Sequence, residues 1–290
     1  TREAYYTDLT SYPADRAVRL MNPLSSDLSV MRQTLLFGGL ETIAYNANRK
    51  RGNLRLFEQG NCYSFDADRH VEDKALSGYA EAEHLALWVT GNRVEGSWAH
   101  ANEESTVYEL KAYVMNIFAR IGLNLAAFVI EPGTSDIFGK SLVIKDRNGK
   151  VCAEWGLVKK AITNQLGIQQ PVYFAELNWT ELMKKTKKQS VLYKELSKFP
   201  AVSRDLALLV DKNVEFAAIE KAAYQAEKKL LKRVELFDVY EGKNLEAGKK
   251  SYAVNFTLQD ETKTMSDKQT EAIMQKIIKT LQTQVGAQLR

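Results

Sequence analysis

Three histidines and two cysteines are the side chains in this 290-residue chain that could ligate a metal or serve as nucleophile and base. His70, His84, His100, Cys62 and Cys152 are scattered, and no two stand at the short intervals of a zinc site. Spacing therefore supplies no metal-ligand set, and no catalytic or cofactor-binding residue is expected. His84 lies in an apolar, strand-like run and His100 beside Trp98, which reads as structural or surface histidines. The cysteines read as free thiols of a reducing cytoplasm. A different chemistry is offered by Asp238 and Tyr240, two residues apart in an apolar-rich run: on a strand they share a face, and an aromatic beside a hydrogen-bonding group is suited to an unpaired base. The bland alternative is a solvated sheet face whose lone tyrosine covers apolar neighbours.

The elements that must hold these residues follow from periodicity. The stretch from Ser29 to Arg49 predicts one long helix, capped by Asp27 or Ser29, with Gly38-Gly39 marking a bend or a close contact. Residues 54–65 and 84–91 predict strands with a loop between them. Residues 104–121 predict a helix with Val107, Leu110, Val114, Ile117 and Phe118 on one face. Short strands follow, with a hairpin turn at Arg147-Asn148-Gly149 and a short helix over 158–165. The first 190 residues therefore read as an α+β domain on an antiparallel sheet.

The Lys-rich run 182–189 closes a last helix, and Phe199-Pro200 opens a new unit, which puts a domain boundary near 190. The order after it is strand, helix, strand, strand, helix, strand, the ferredoxin-like βαββαβ plan with both helices on one face. Alternation assigns Leu206, Leu208, Val210, Phe237, Val239, Tyr252, Val254, Phe256 and Leu258 to the covered face. It leaves Asp205, Ala207, Leu209, Leu236, Asp238, Tyr240, Ser251, Ala253, Asn255 and Thr257 on the open one. Residues 191–290 carry 17 Lys and Arg against 14 Asp and Glu, a bias that permits nucleic-acid contact without demanding it. No apolar run reaches the roughly 18 residues of a membrane-spanning helix, so no membrane role is expected. The opening TREAYYTDL carries neither an initiator Met nor a signal pattern, which suggests a segment of a longer polypeptide.

Taken in order, NPLSSDLSVMRQTLLFGGLETIAYNANR, LRLFEQGNCYSF, FPAVSRDLALLVD, LFDVYEG, KKSYAVNFTLQD and the terminal VGAQLR resemble the phenylalanine–tRNA ligase β-subunit family along essentially the whole chain. The resemblance implies a class II synthetase-like antiparallel-sheet module over 1–190, without the active site, then a ferredoxin-like anticodon-binding domain over 191–290. Arg55 has the position of a motif-two arginine, but Gly156 is followed by no further arginine to clamp ATP, and Lys159-Lys160 stand where the family often has His-Pro. Partners implied are phenylalanine tRNA and a catalytic α subunit in an α2β2 heterotetramer, docked through the long helix from Ser29. DNA and membrane are not implied. The fragment itself is expected to hold no cofactor, ATP and magnesium serving the whole complex. Matching the family's motifs gives Ala207, Asp238, Tyr240 and Ser251 as anticodon contacts, with Lys243, Lys249 and Lys250 as phosphate contacts. A free-standing class II-type ligase and a protein-interaction scaffold are the competing readings.

Overall fold

The structure is a computed structural model that describes residues 1–187, 193, 195–242 and 245–290. It divides into two compact units, Thr1–Val191 and Leu192–Arg290.

The first unit is built on a six-stranded, wholly antiparallel sheet in the order β1-β2-β8-β7-β6-β5. Its strands are β1 (Leu54–Phe65), β2 (Tyr79–Thr90), β5 (Val129–Pro132), β6 (Phe138–Lys145), β7 (Val151–Val158) and β8 (Val172–Asn178). A separate small ribbon joins β3 (Asn92–Val94) to β4 (Glu103–Glu104). Alternation along β2 and β8 sorts two cores. Ala86, Trp88, Val172 and Phe174 face α1 (Leu36–Ala47) and the N-terminal segment, whereas Leu85, Leu87, Val89, Ala175 and Leu177 face α2 (Val107–Arg120) and α4 (Trp179–Thr186). The short α3 (Lys160–Gln165) packs Ile162 into the first of these cores. Thr106 and Asn178 cap α2 and α4 by accepting from Glu109 N–H and Glu181 N–H. The β6–β7 turn forms as expected: Asp146 accepts from the N–H groups of Asn148 and Lys150, and Gly149 takes the left-handed φ of +79°.

The long helix expected from Ser29 is shorter than its periodicity implied: it starts at Leu36. Val30 and Met31 stay out of the helix because their backbone pairs elsewhere, Val30 N–H donating to Thr1 O and Met31 N–H to Val18 O. Neither Asp27 nor Ser29 caps it; the Thr34 hydroxyl accepts from Leu36 N–H at 3.2 Å instead. Gly38-Gly39 falls in the first turns; a Cβ at Gly39 would run into the Trp88 indole, so Gly39 serves a close helix–sheet contact, whereas one at Gly38 would make only an ordinary contact with Glu58.

The N-terminal segment is clipped to the β5–β6 connection by Asp136, whose carboxylate accepts from Thr10 N–H (2.5 Å), the Thr10 hydroxyl (2.9 Å) and Ser11 N–H (3.2 Å). Burial alone would raise its pKa, but these donors outweigh it and hold the carboxyl at about 2. A depressed carboxylate pKa stabilises the fold above the unfolded-state value and loses that contribution as pH falls through the folded one. Asp136→Asn is accordingly expected to lose about 1 kcal/mol near neutrality, after discounting for solvent, and to match the parent chain near pH 2. Urea unfolding followed across that range measures the convergence.

The second unit has the element order β9 (Val202–Asp211), α5 (Phe216–Ala226), β10 (Leu231–Tyr240), β11 (Lys249–Leu258), α6 (Asp267–Val285) and β12 (Gln288–Leu289). Its sheet order is β10-β11-β9-β12, all antiparallel. Ile219, Ala222 and Ala223 of α5 and Ile273, Ile277 and Leu281 of α6 close over Leu208, Val210, Val254, Phe256 and Leu258. Ser266 caps α6 and Gly286, at φ +65°, ends it. Among the described residues of this unit, both helices pack on this one face and none on the other.

Candidate nucleic-acid interface

The open face is organised by register. Asp238 of β10 stands opposite Ala253 of β11, which stands opposite Ala207 of β9, so the three lie in one row across the sheet. The next row is Tyr240, Ser251, Leu209 and, on β12, Gln288. The sequence-predicted Ala207, Asp238, Tyr240 and Ser251 are thus brought together on adjacent rows. Ala207 and Ala253 form a low floor, Asp238 is exposed at its edge, and Ser251 is almost covered. Further along, Asn255 donates to Asp205 Oδ1 and Ser203 Oγ, both at 2.6 Å, giving a polar ladder on the same face.

One expected pattern is corrected on β10. A bulge between Leu236 and Asp238 sets two residues of β10 against one of β11. Leu236, assigned to the open face, pairs with Val254 and packs into the helix-covered core. Phe237, assigned to the core, is the bulged residue and is 61% exposed. Beyond the bulge the parity resumes, so Val239 is on the covered side, though 45% exposed, and Asp238 and Tyr240 are on the open side.

Arg290 is a residue that sequence reasoning missed. Its N–H donates to Ala207 O at 3.0 Å, and its guanidinium carbon lies 5.6 Å from the Tyr240 ring centroid, reaching across the sheet to place a cation at the ring. The signal was the arginine closing the last strand, legible only once β12 was set beside β9. Gly242 completes the ring's surroundings, because a Cβ there would meet the Tyr240 phenol.

The expected phosphate contacts separate. Lys249 shares the open-face parity of Ser251 and pairs with Glu246 at 3.3 Å. Lys250 belongs to the helix-covered side instead: it is 9% exposed, with its ammonium 4.7 Å from the Tyr252 ring centroid. Lys243 lies outside the described residues. Lys184 and Lys185, from the Lys-rich run, pair with Glu181 and Asp146 of the first unit.

In the first unit Arg55 makes four hydrogen bonds, with Glu109 at 3.0 and 3.2 Å, Asn92 O at 2.8 Å and the Ser105 hydroxyl at 2.9 Å. It ties β1 to α2. A Cβ at Gly156 would strike the backbone of Lys140 and Ser141, so that glycine serves the close approach of β6 and β7. Spacing in the sequence offers no metal-ligand set, but the sheet brings one ligand atom each of Cys62, His84 and Glu176 within 4.8 Å of one another. Spacing could not find them because β1, β2 and β8 meet only in three dimensions.

The fold and these features define a two-unit α+β protein, a mixed helix–sheet module followed by a ferredoxin-type domain with an open, polar sheet face. Residues 1–179 match the family Phenylalanyl tRNA synthetase beta chain CLM domain, and residues 197–290 match Ferredoxin-fold anticodon binding domain. The chain belongs to the phenylalanyl-tRNA synthetase β-chain family. It is 58% identical over its full length to the phenylalanine–tRNA ligase β subunit of Bacteroides fragilis and 50% identical to that of Porphyromonas gingivalis, covering 35% of each. It thus spans about a third of the length of the curated relatives it matches. A pyrrolysyl-tRNA synthetase structure from Desulfitobacterium hafniense aligns at a TM-score of 0.45 and 13% identity, over 63% of this chain and 58% of that one.

Proposed function

We propose that this chain is the tRNA-reading and subunit-docking end of a cytoplasmic phenylalanine–tRNA ligase β subunit, acting in attachment of phenylalanine to its tRNA. The observation that carries the reading is the row Asp238–Ala253–Ala207 beside Tyr240 and Ser251 on the open face of the anticodon-domain sheet. The Tyr240 ring stacks on the first anticodon base, a guanine, and the low alanine floor lets that base approach the sheet. The Asp238 carboxylate accepts from the N1–H and exocyclic amine of guanine, a donor pair that adenine lacks. Lys249 and Arg290 are the cations placed to meet phosphates.

Residues 1–190 form the class II-like module, which docks the catalytic α subunit of an α2β2 heterotetramer. Exposed apolar side chains preceding α1, Met21 and Leu24 at 96% each, favour a protein partner there. ATP and magnesium belong to the complex, and this module takes no part in adenylation: four of the five Arg55 N–H donors are spent on Glu109, Asn92 and Ser105, and the buried Glu176 is held by the module's own backbone.

The test is titration of the chain with the phenylalanine tRNA anticodon stem-loop at low salt, with a second stem-loop whose first anticodon base is adenine. Binding about tenfold weaker for the adenine variant is expected. Equal binding of the two RNAs overturns guanine reading by this face.

A further inference from the structure

The convergence of Cys62, His84 and Glu176 has a geometry of its own, independent of the RNA reading. His84 Nδ1 stands 3.1 Å and Cys62 Sγ 3.8 Å from the same carboxylate oxygen, Glu176 Oε1. A tetrahedral zinc ion with bonds of about 2.0–2.3 Å separates its ligand atoms by about 3.3–3.8 Å, so these contacts are close to the edges of one coordination polyhedron. His84 Nδ1 is buried and, despite its nearness to the carboxylate, is not aligned to share a hydrogen with it. The buried ring nitrogen thus has the carboxylate as a close charge contact but makes no aligned hydrogen bond, a state that a shared metal ion would relieve.

The surroundings fit a ligand set already oriented for a cation. Glu176 is fixed by Leu35 N–H at 2.9 Å and by the Thr34 hydroxyl at 2.7 Å, contacts of the kind that orient a metal-bound carboxylate. A cleft of about 230 Å³, lined by Ser11, Tyr12, Gln33, Cys62 and His84 among others, reaches the cluster and leaves room for a fourth ligand. We propose that Cys62, His84 and Glu176 bind one zinc ion, with a water from this cleft as fourth ligand. The zinc takes the place of the Cys62 thiol proton, which is released to solvent. Thiolate and carboxylate then balance the 2+ charge, so the buried site is neutral. A thiolate and an imidazole select zinc over magnesium, which prefers oxygen donors throughout. Bound, the ion would fasten β1, β2 and β8 at a single point.

The experiment is titration of the chelator-treated, metal-free chain with Co(II), followed by displacement with Zn(II). The expected result is a thiolate-to-cobalt charge-transfer band that saturates at one equivalent, disappears when zinc is added, is absent in Cys62→Ser and survives in Cys152→Ser. His84→Ala is expected to weaken zinc by about tenfold or more, and zinc is expected to raise the thermal midpoint of the parent chain but not of Cys62→Ser. Circular dichroism confirms that each variant is folded. No band in the folded parent chain overturns the proposal, as does a band that Cys152→Ser removes.

Discussion

Replacing Glu176 by alanine is expected to destabilise the first unit by about 3–5 kcal/mol, the range for removing one partner from a buried charged network. The carboxylate is the acceptor on which the N-terminal segment closes: Leu35 N–H, the Thr34 hydroxyl and, at 3.3 Å, the Tyr12 hydroxyl all donate to it. Burial pushes its pKa up, but the His84 imidazole beside it and these donors outweigh that and hold it below the ordinary glutamate range. Alanine leaves the Leu35 N–H and the Thr34 hydroxyl, both buried, without their acceptor. Glu176→Gln keeps shape and one acceptor, so a smaller loss is expected. All four tryptophans, at 88, 98, 155 and 179, belong to this unit, so denaturant unfolding read by tryptophan fluorescence, with chelator present, reports it alone. A loss under about 1 kcal/mol for the alanine variant would show that the network is dispensable.

That network also marks where the sequence stopped being informative. Thr34 and Glu176 are 142 residues apart, and nothing in the local pattern of either announces the other. For the same reason the helix was overextended: Val30 sits at helical spacing from the residues that follow, yet its backbone is held by partners outside any helix, and periodicity is blind to that competition. Elements whose burial is decided locally were legible. The order of the second unit, the Arg147-Asn148-Gly149 turn and the alternation of β11 follow from turn residues and a single covered face. Along β10 the same alternation failed at Phe237, since a bulge inserts one residue without any signature in the flanking side chains. Asp238 and Tyr240 still fall on the open face, because both follow the bulge and alternate regularly with Val239. Lys250, given as a phosphate contact by resemblance, has covered-face parity, with its ammonium 4.7 Å from the Tyr252 ring centroid, a burial that residue type alone does not announce.

Substituting Tyr240 by alanine is expected to weaken binding of the anticodon stem-loop by about 5- to 150-fold, the equivalent of roughly 1–3 kcal/mol for one stacked base. The fold should tolerate the change, since Tyr240 is 38% exposed and ends the edge strand β10, so the loss falls on the complex. Asp238→Asn separates stacking from base reading. The amide keeps the size of the carboxylate but offers one carbonyl where two acceptor oxygens stood, and it turns a donor toward the donors of guanine. Preference for guanine over adenine should therefore fall in Asp238→Asn, while affinity for the adenine stem-loop stays level or rises as repulsion of phosphate is relieved. Fluorescence anisotropy with both stem-loops and all three proteins resolves the two effects. If Tyr240→Ala binds as the parent chain does, the ring is not a platform for a base and the row beside it loses its reason to read one. If Tyr240→Ala loses affinity while Asp238→Asn keeps its preference, stacking stands and the discrimination must come from the backbone groups or Ser251 along the same rows.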